Sequence, residues 1–269
     1  MIAPQDLYDA HPVEPNGTAM LLLAGSSGRV ESARADLLSQ ASGARVRAIR
    51  WFGGVGQRPA PQEVAVELFA EQIDLLRREA DRVVLFGTSF GAEASLVTAS
   101  LYDVDAVIAV APSSVVWAGA HQGEWSSHWT HKDEPLPFVP FAADWMPDAD
   151  PPAFVSLYEK SADLDPAVTE AARISVERIA GEVLLVVGGD DQVWPSARFA
   201  DEIVAARAAQ GLATTVVSEL AAGHRLLLPG ETPATGGVSM QRGGSPEADV
   251  ALGRRAWPEI VRVLGGQPD

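Results

Sequence analysis

Ser89 stands at the centre of Gly87-Thr88-Ser89-Phe90-Gly91, between the apolar run Val83-Val84-Leu85-Phe86 and a stretch of helical composition beginning at Ala92. A serine at such a strand–turn–helix junction is held in a strained backbone conformation, and a side chain at either flanking glycine would collide with the neighbouring strand or helix. The helix that follows turns its free N–H groups and dipole toward the serine, which favours negative charge developing there. This is a place for acyl chemistry, provided that a base and an acid come to it. The base is His224, in the small-residue loop Ala221-Ala222-Gly223-His224. The acid is Asp191, in the turn Gly188-Gly189-Asp190-Asp191. Asp191 is preferred to Asp190 because it lies three residues past Gly188, and Asp190 is left to support the turn. In such a trio the imidazole takes the serine proton, and the carboxylate orients the imidazole and stabilises its charged form.

An oxyanion formed at Ser89 needs two N–H donors. The backbone N–H of Phe90, directly after the nucleophile, is one. The second is expected from Gly25-Ser26-Ser27-Gly28, a loop of small residues just past an early apolar run, with Ser26 as the donor and Ser27 in reserve. The same loop lacks both the Gly-x-Gly-x-x-Gly spacing and the Lys-Ser/Thr of a phosphate cradle, so a nucleotide site is not expected there.

The elements that would position these residues follow an alternating pattern. Ala19 to Ala24, Arg45 to Trp51, Arg82 or Val83 to Phe86, Asp105 to Ala111, Glu182 to Val187 and Thr214 to Leu220 read as strands, most of them continuous apolar runs covered on both faces. Helical segments are expected over Glu31 to Ala41, Pro61 to Arg78, after Ser89, Ser196 to Gln210 and Pro246 or Glu247 to Leu264. The alternation is that of an α/β protein with a mostly parallel, doubly wound sheet, and the acid and the histidine each fall just past a strand. Serine, acid and histidine in that chain order belong to the α/β-hydrolase fold. Residues 1 to 18, with Pro4, Pro12 and Pro15, read as an N-terminal arm without regular structure. Residues 19 to 269 read as one catalytic domain.

The alternation breaks between residues 113 and 178, a stretch rich in tryptophan, phenylalanine and proline. Such an insertion between two sheet strands suggests a lid with apolar surface toward a substrate, although most of its aromatics are expected to pack its own small core. Trp117 from the insertion, Trp194 and Ser27 are the expected substrate contacts. His128 and His131 have a spacing that could suit a metal, but no carboxylate pattern completes a site, so His121, His128 and His131 read as polar lid residues and neither metal nor cofactor is expected. Gly230 to Gly244 reads as a flexible loop near the site.

Charge and composition narrow the partners. With 36 acidic and 20 basic residues the formal charge is -16, which opposes nucleic acid or an anionic membrane surface. The absence of cysteine removes disulfides and thiolate nucleophiles. No apolar run approaches the roughly 18 residues needed to cross a bilayer, and the N-terminus has no basic region of a cleaved signal. A soluble, cytoplasmic protein is expected.

Several stretches together are similar to the catalytic domain of the acyl-CoA thioesterase and bile acid-CoA:amino acid N-acyltransferase family: Leu23 to Gly28, Arg50-Trp51-Phe52-Gly53, Gly87 to Glu93, Ser113 to Trp117, Pro135 to Pro140, Ile174 to Ile179, Gly188 to Ser196, Ala222-Gly223-His224 and Ala256-Trp257-Pro258. The resemblance implies an α/β-hydrolase domain that cleaves or transfers acyl groups held as thioesters, on coenzyme A or on a carrier protein. Longer members carry an immunoglobulin-like domain ahead of the catalytic one, which is expected to be lacking here. Members that conjugate acyl groups to amino acids use cysteine at the elbow, so Ser89 points to hydrolysis, with an acyltransferase or cyclase as the alternative. Arg29, Arg45, Arg47, Arg50 and Arg58 are the candidates for holding the phosphates of such a substrate.

Overall fold

A computed structural model describes residues 2–233 and 238–267. After a short 3-10 turn at Pro4–Asp6 come β1 (Leu7–Ala10), β2 (Thr18–Leu23), α1 (Ser32–Ser42), β3 (Arg45–Ile49), β4 (Val64–Ala65) and α2 (Glu67–Arg77). The elbow region is β5 (Arg82–Thr88), α3 (Phe90–Leu101) and β6 (Ala106–Val110). The insertion holds β7 (Ala118–His121), β8 (Glu124–Ser127), β9 (Trp129–His131), β10 (Glu134–Pro135), α4 (Val155–Leu164) and α5 (Pro166–Ala171). A 3-10 turn at Val176–Arg178 leads into β11 (Glu182–Gly188), followed by α6 (Ser196–Ala208), β12 (Thr215–Glu219) and α7 (Pro246–Val263).

Seven strands form one sheet in the order β1-β3-β2-β5-β6-β11-β12. β1 is antiparallel to β3 and every other pairing is parallel. Because successive side chains of a strand point to opposite faces, the apolar runs divide between two cores. Leu21, Leu23, Val83 and Leu85 pack with Phe69 of α2, Ala94 of α3 and Ile203 of α6. Met20, Leu22, Val84 and Phe86 pack on the other face with Leu38 of α1 and Leu252 of α7. Each such side chain contributes about 1.5–3 kcal/mol by leaving water, so the central strands are fixed from both sides and their C-terminal ends become a rigid edge.

Two expectations are corrected here. The N-terminal segment is not a structureless arm, because Leu7–Ala10 adds an edge strand to β3, secured by Arg47 and Arg45 on Asp9. The helix expected from Pro61 begins only at Glu67. Residues ahead of it are drawn into pairing with the insertion: Glu63 and Val64 donate backbone N–H groups to Ser127 and His128, and Val66 donates to Thr130. Long-range ladder bonds override the helical periodicity there. The insertion itself lies between β6 and β11 as expected. No helix among the described residues is long and apolar enough to cross a membrane.

Candidate active site

β5 delivers Ser89 to the sheet edge, and α3 starts at the next residue. Ser89 adopts φ 58°, ψ -122°, a region that L-residues reach only under strain, and its N–H is held by the carbonyl of Val110 at 2.9 Å. The turn is tight enough that a Cβ on Gly87 would lie 1.9 Å from the Gly91 carbonyl oxygen, and one on Gly91 would lie 2.4 Å from that of Leu23. Both flanking glycines are therefore demanded by close approach of backbone to backbone.

The acid and the histidine meet because β11 and β12 end side by side. A Cβ on Gly188 would lie 2.0 Å from the Gly223 carbonyl oxygen, and Asp190 donates its N–H to the Ala222 carbonyl. The two loops are thereby clamped together. Asp191 Oδ2 lies 2.8 Å from His224 Nδ1, while Oδ1 accepts the N–H groups of Val193 and Trp194 at 2.9 and 3.3 Å. Asp190 faces elsewhere, with Oδ1 accepting from Gln192 and Oδ2 from the N–H of Gly244. Of the two neighbouring carboxylates, only Asp191 touches the imidazole. The buried Asp191 side chain is 2% exposed and His224 is 11% exposed, so their contact is shielded from bulk water.

Ser89 and His224 open onto the same cavity, of about 1220 Å³. Among the described residues Ser89 Oγ makes no hydrogen bond, so the hydroxyl is free toward that space. The N–H of Phe90 sits at the first helical position, where no acceptor exists within its own helix. Ser26 and Ser27 are exposed and line the cavity. A Cβ on the preceding Gly25 would come within 3.6 Å of Ser89 Oγ, which brings this loop directly beside the serine.

Trp117 and Trp194 do not line the cavity, contrary to expectation. Both are wholly buried in the insertion's core with Tyr158 and Phe199. Their indole N–H groups are spent on Ser113 Oγ and the Ala111 carbonyl. Trp194 instead backs the histidine, its ring 5.9 Å from the imidazole. The aromatics that do reach the cavity are Phe90 and, from the insertion, Trp125, Phe141, Trp145, Phe154 and Tyr158. Burial, with the charges of Glu93 and Asp191 nearby, pushes the Tyr158 hydroxyl well up, so it remains a neutral donor.

His128, expected as a polar lid residue, lies in the insertion but is buried rather than solvated. It is buried beneath Phe90, ring centroids 4.4 Å apart, and its Nδ1 lies 3.1 Å from Glu93 Oε1. Glu93, one turn into α3, is fully buried and also accepts from Trp129 Nε1 at 2.8 Å and from the Trp117 N–H at 3.1 Å. This carboxylate ties the insertion to α3. An acidic residue four positions after the serine, in an otherwise uncharged helix, was the available signal for it. Among the described residues no group of three His, Asp or Glu side chains could hold a metal.

The basic residues expected to form a phosphate patch are each engaged in an ion pair. Arg29 pairs with Glu31, Arg45 and Arg47 with Asp9, Arg50 with Asp6, and Arg58 with Glu63.

A parallel sheet flanked by helices, with a strained serine between β5 and α3 and a carboxylate–histidine contact past β11 and β12, defines the α/β-hydrolase fold. The chain belongs to the BAAT / acyl-CoA thioester hydrolase C-terminal family, whose model matches residues 64–266. Its fold is shared by solved structures of low identity. DphMB1 superposes with a TM-score of 0.55 at 14% identity, over 98% of this chain and 83% of its own. A probable hydrolytic enzyme from Pseudomonas aeruginosa gives 0.52 at 16%, over 96% and 88%. A puromycin-hydrolyzing peptidase from Mycobacterium tuberculosis gives 0.52 at 18%, over 79% of this chain but only 32% of its own length. No curated protein matches the chain.

Proposed function

We propose that the protein is a serine hydrolase that cleaves acyl thioesters through an acyl-serine intermediate. The observation that carries this reading is the pairing of a strained, unbonded Ser89 with an imidazole already oriented by Asp191, both facing one cavity. Family membership supports the thioester as the bond attacked. With Asp191 accepting from Nδ1–H, the lone pair of His224 Nε2 is left to take the Ser89 proton. Oγ then adds to the thioester carbonyl, and the oxyanion lies between the N–H groups of Phe90 and Ser26. Collapse breaks the carbon–sulfur bond, and the departing thiolate takes the proton from Nε2. Water, deprotonated by the same nitrogen, releases the acid from the acyl-serine. The insertion acts as the lid over the acyl chain.

The volume of the cavity favours one alternative outcome of the same intermediate. About 1220 Å³ exceeds the roughly 300–1,000 Å³ of ordinary ligand sites, leaving room for an amine or hydroxyl acceptor beside the acyl chain. The protein would then act as an acyltransferase or cyclase. Intact-protein mass spectrometry after mixing with a panel of acyl thioesters tests both. An acyl adduct on Ser89, absent in Ser89→Ala, is expected, and the released product distinguishes acid from conjugate. Turnover by a folded Ser89→Ala near the wild-type rate would refute the mechanism.

A further inference from the structure

Of the four arginines that line the cavity, Arg29 and Arg34 are ion-paired and two are not. Arg225 directly follows His224, and Arg242 lies on the returning loop whose own carbonyl accepts the His224 N–H at 2.8 Å. Both are half-buried and both line the cavity that holds Ser89. Among the described residues neither is ion-paired with a carboxylate, and Arg225 makes no side-chain hydrogen bond at all. Arg242 donates only to the carbonyls of Met240 and Val238, which cancels none of its charge. Burial, and then the charge of Arg225, push the Arg242 guanidinium down, so the two cations feel each other.

The acidic side chains of the same lining form no ion pair with either arginine. Asp249 also lines the cavity, but its Oδ1 accepts the Gly223 N–H at 3.0 Å and it forms no ion pair with Arg225; burial pushes its carboxyl up, and the charge of Arg225 acts in the other direction. Glu231 is engaged by Arg34. In a chain of net charge -16, two half-buried guanidiniums without an ion pair among the described residues carry a desolvation cost that an anion would offset.

We propose that Arg225 and Arg242 form an anion subsite on the histidine side of the cavity, so that the substrate bears a carboxylate or phosphate on its leaving group. The side follows from the chemistry: the proton for the departing thiolate comes from His224, so the leaving group must pass that residue, and Arg225 adjoins it. The acyl chain is left with the aromatic lining of Trp125, Phe141, Trp145 and Phe154. This rests on the thioester reading above, and the test separates the two.

Three butyryl thioesters differing only in the thiol serve as probes: thioglycolate carries a carboxylate, phosphopantetheine a phosphate, and N-acetylcysteamine no charge. The ratio of kcat/KM for an anionic probe to that for the neutral one should exceed unity by about 10- to 100-fold, as expected for charge-assisted hydrogen bonds. That ratio should collapse in Arg225→Gln. Arg242→Lys, which keeps the charge but gives up the loop carbonyls, should retain most of it. Preference for thioglycolate alone assigns a carboxylate, and preference for phosphopantetheine alone assigns a phosphate. A wild-type ratio near unity, or a ratio unchanged in Arg225→Gln, overturns the subsite. Calorimetric binding of the same three probes to Ser89→Ala gives the readout without turnover: anion-selective binding without any acyl-Ser89 in the wild type would sink the hydrolase reading and leave the subsite standing.

Discussion

Replacing Asp191 with asparagine separates orientation of the histidine from stability of the fold. The carboxylate makes three contacts, to His224 Nδ1 at 2.8 Å and to the N–H groups of Val193 and Trp194. An asparagine can turn its carbonyl oxygen to the two backbone donors and keep the turn intact. Its amide group then faces Nδ1 and donates to it, which places the imidazole proton on Nε2 and removes the base. The electrostatic part follows from the geometry. A carboxylate and an imidazolium with charge centres about 4 Å apart, at an effective dielectric of about 20, attract by about 4 kcal/mol. At about 1.36 kcal/mol per decade that is about 10³ in rate, and the wrong tautomer carries the loss toward about 10⁴. The assay is initial-rate thiol release at saturating acyl thioester, with a thermal melt of each variant. Asp191→Asn should melt close to the wild type and lose about 10³–10⁴ in kcat. Asp190→Asn, whose partners are Gln192 and Gly244, should change kcat by no more than about threefold, within what a surface polar substitution costs. A folded Asp191→Asn within about tenfold of wild type, or an equal loss at Asp190, would refute the assignment.

Two further outcomes concern the fold that holds the site. Glu93→Ala removes the acceptor for Trp129 Nε1, His128 Nδ1 and the Trp117 N–H at once; breaking such a buried arrangement costs about 3–5 kcal/mol, a fall in melting temperature of about 10 °C for a chain of this size, with Glu93→Gln markedly milder, and equal melting of Glu93→Ala and wild type would contradict the role. Asp9 joins the edge strand to β3: burial raises its carboxyl, but Arg47 and then Arg45 outweigh this and hold it below the ordinary value. Its contribution, on the order of 1 kcal/mol for a partly exposed group, is therefore full above the ordinary carboxyl value of about 3.9 and is lost as the pH falls through the depressed folded value. Urea midpoints of Asp9→Asn should be lower at neutral pH and decline less steeply below about pH 4 than those of the wild type.

The features legible in sequence are those set by local rules. The buried strands announced themselves as continuous apolar runs, and the elbow as two glycines that the backbone contacts now require. The choice of Asp191 over Asp190 followed from its offset after Gly188, and the hydrogen bonds divide the two residues in the same way. What local rules missed was decided by distant segments. Pro61 to Val66 has helical spacing, but its N–H groups find carbonyls of the insertion. His128 reads only as a polar residue of the insertion, and its burial is decided by Glu93, 35 positions earlier, coming to lie against it. Trp117 and Trp194 have the size and position in the chain of substrate contacts, yet they fill the core behind the site. Aromatic composition alone does not say which ring faces in.

That division of the aromatics bears on specificity. Trp117 and Trp194, with Tyr158 and Phe199, make a rigid block behind His224, and Phe90 is wedged between Trp194 and His128. The serine, the imidazole and the N–H of Phe90 are thereby seated on side chains that cannot move without opening a large void. The cavity wall facing them is of another kind: Trp125 is 57% exposed at a two-stranded hairpin, and Val238 is 63% exposed. Wall residues held by few neighbours can be exchanged at little cost to the fold, whereas the block behind the histidine cannot. On the proposed reading, acyl-chain preference can therefore vary through the hairpin while the proposed chemistry at Ser89 stays unchanged.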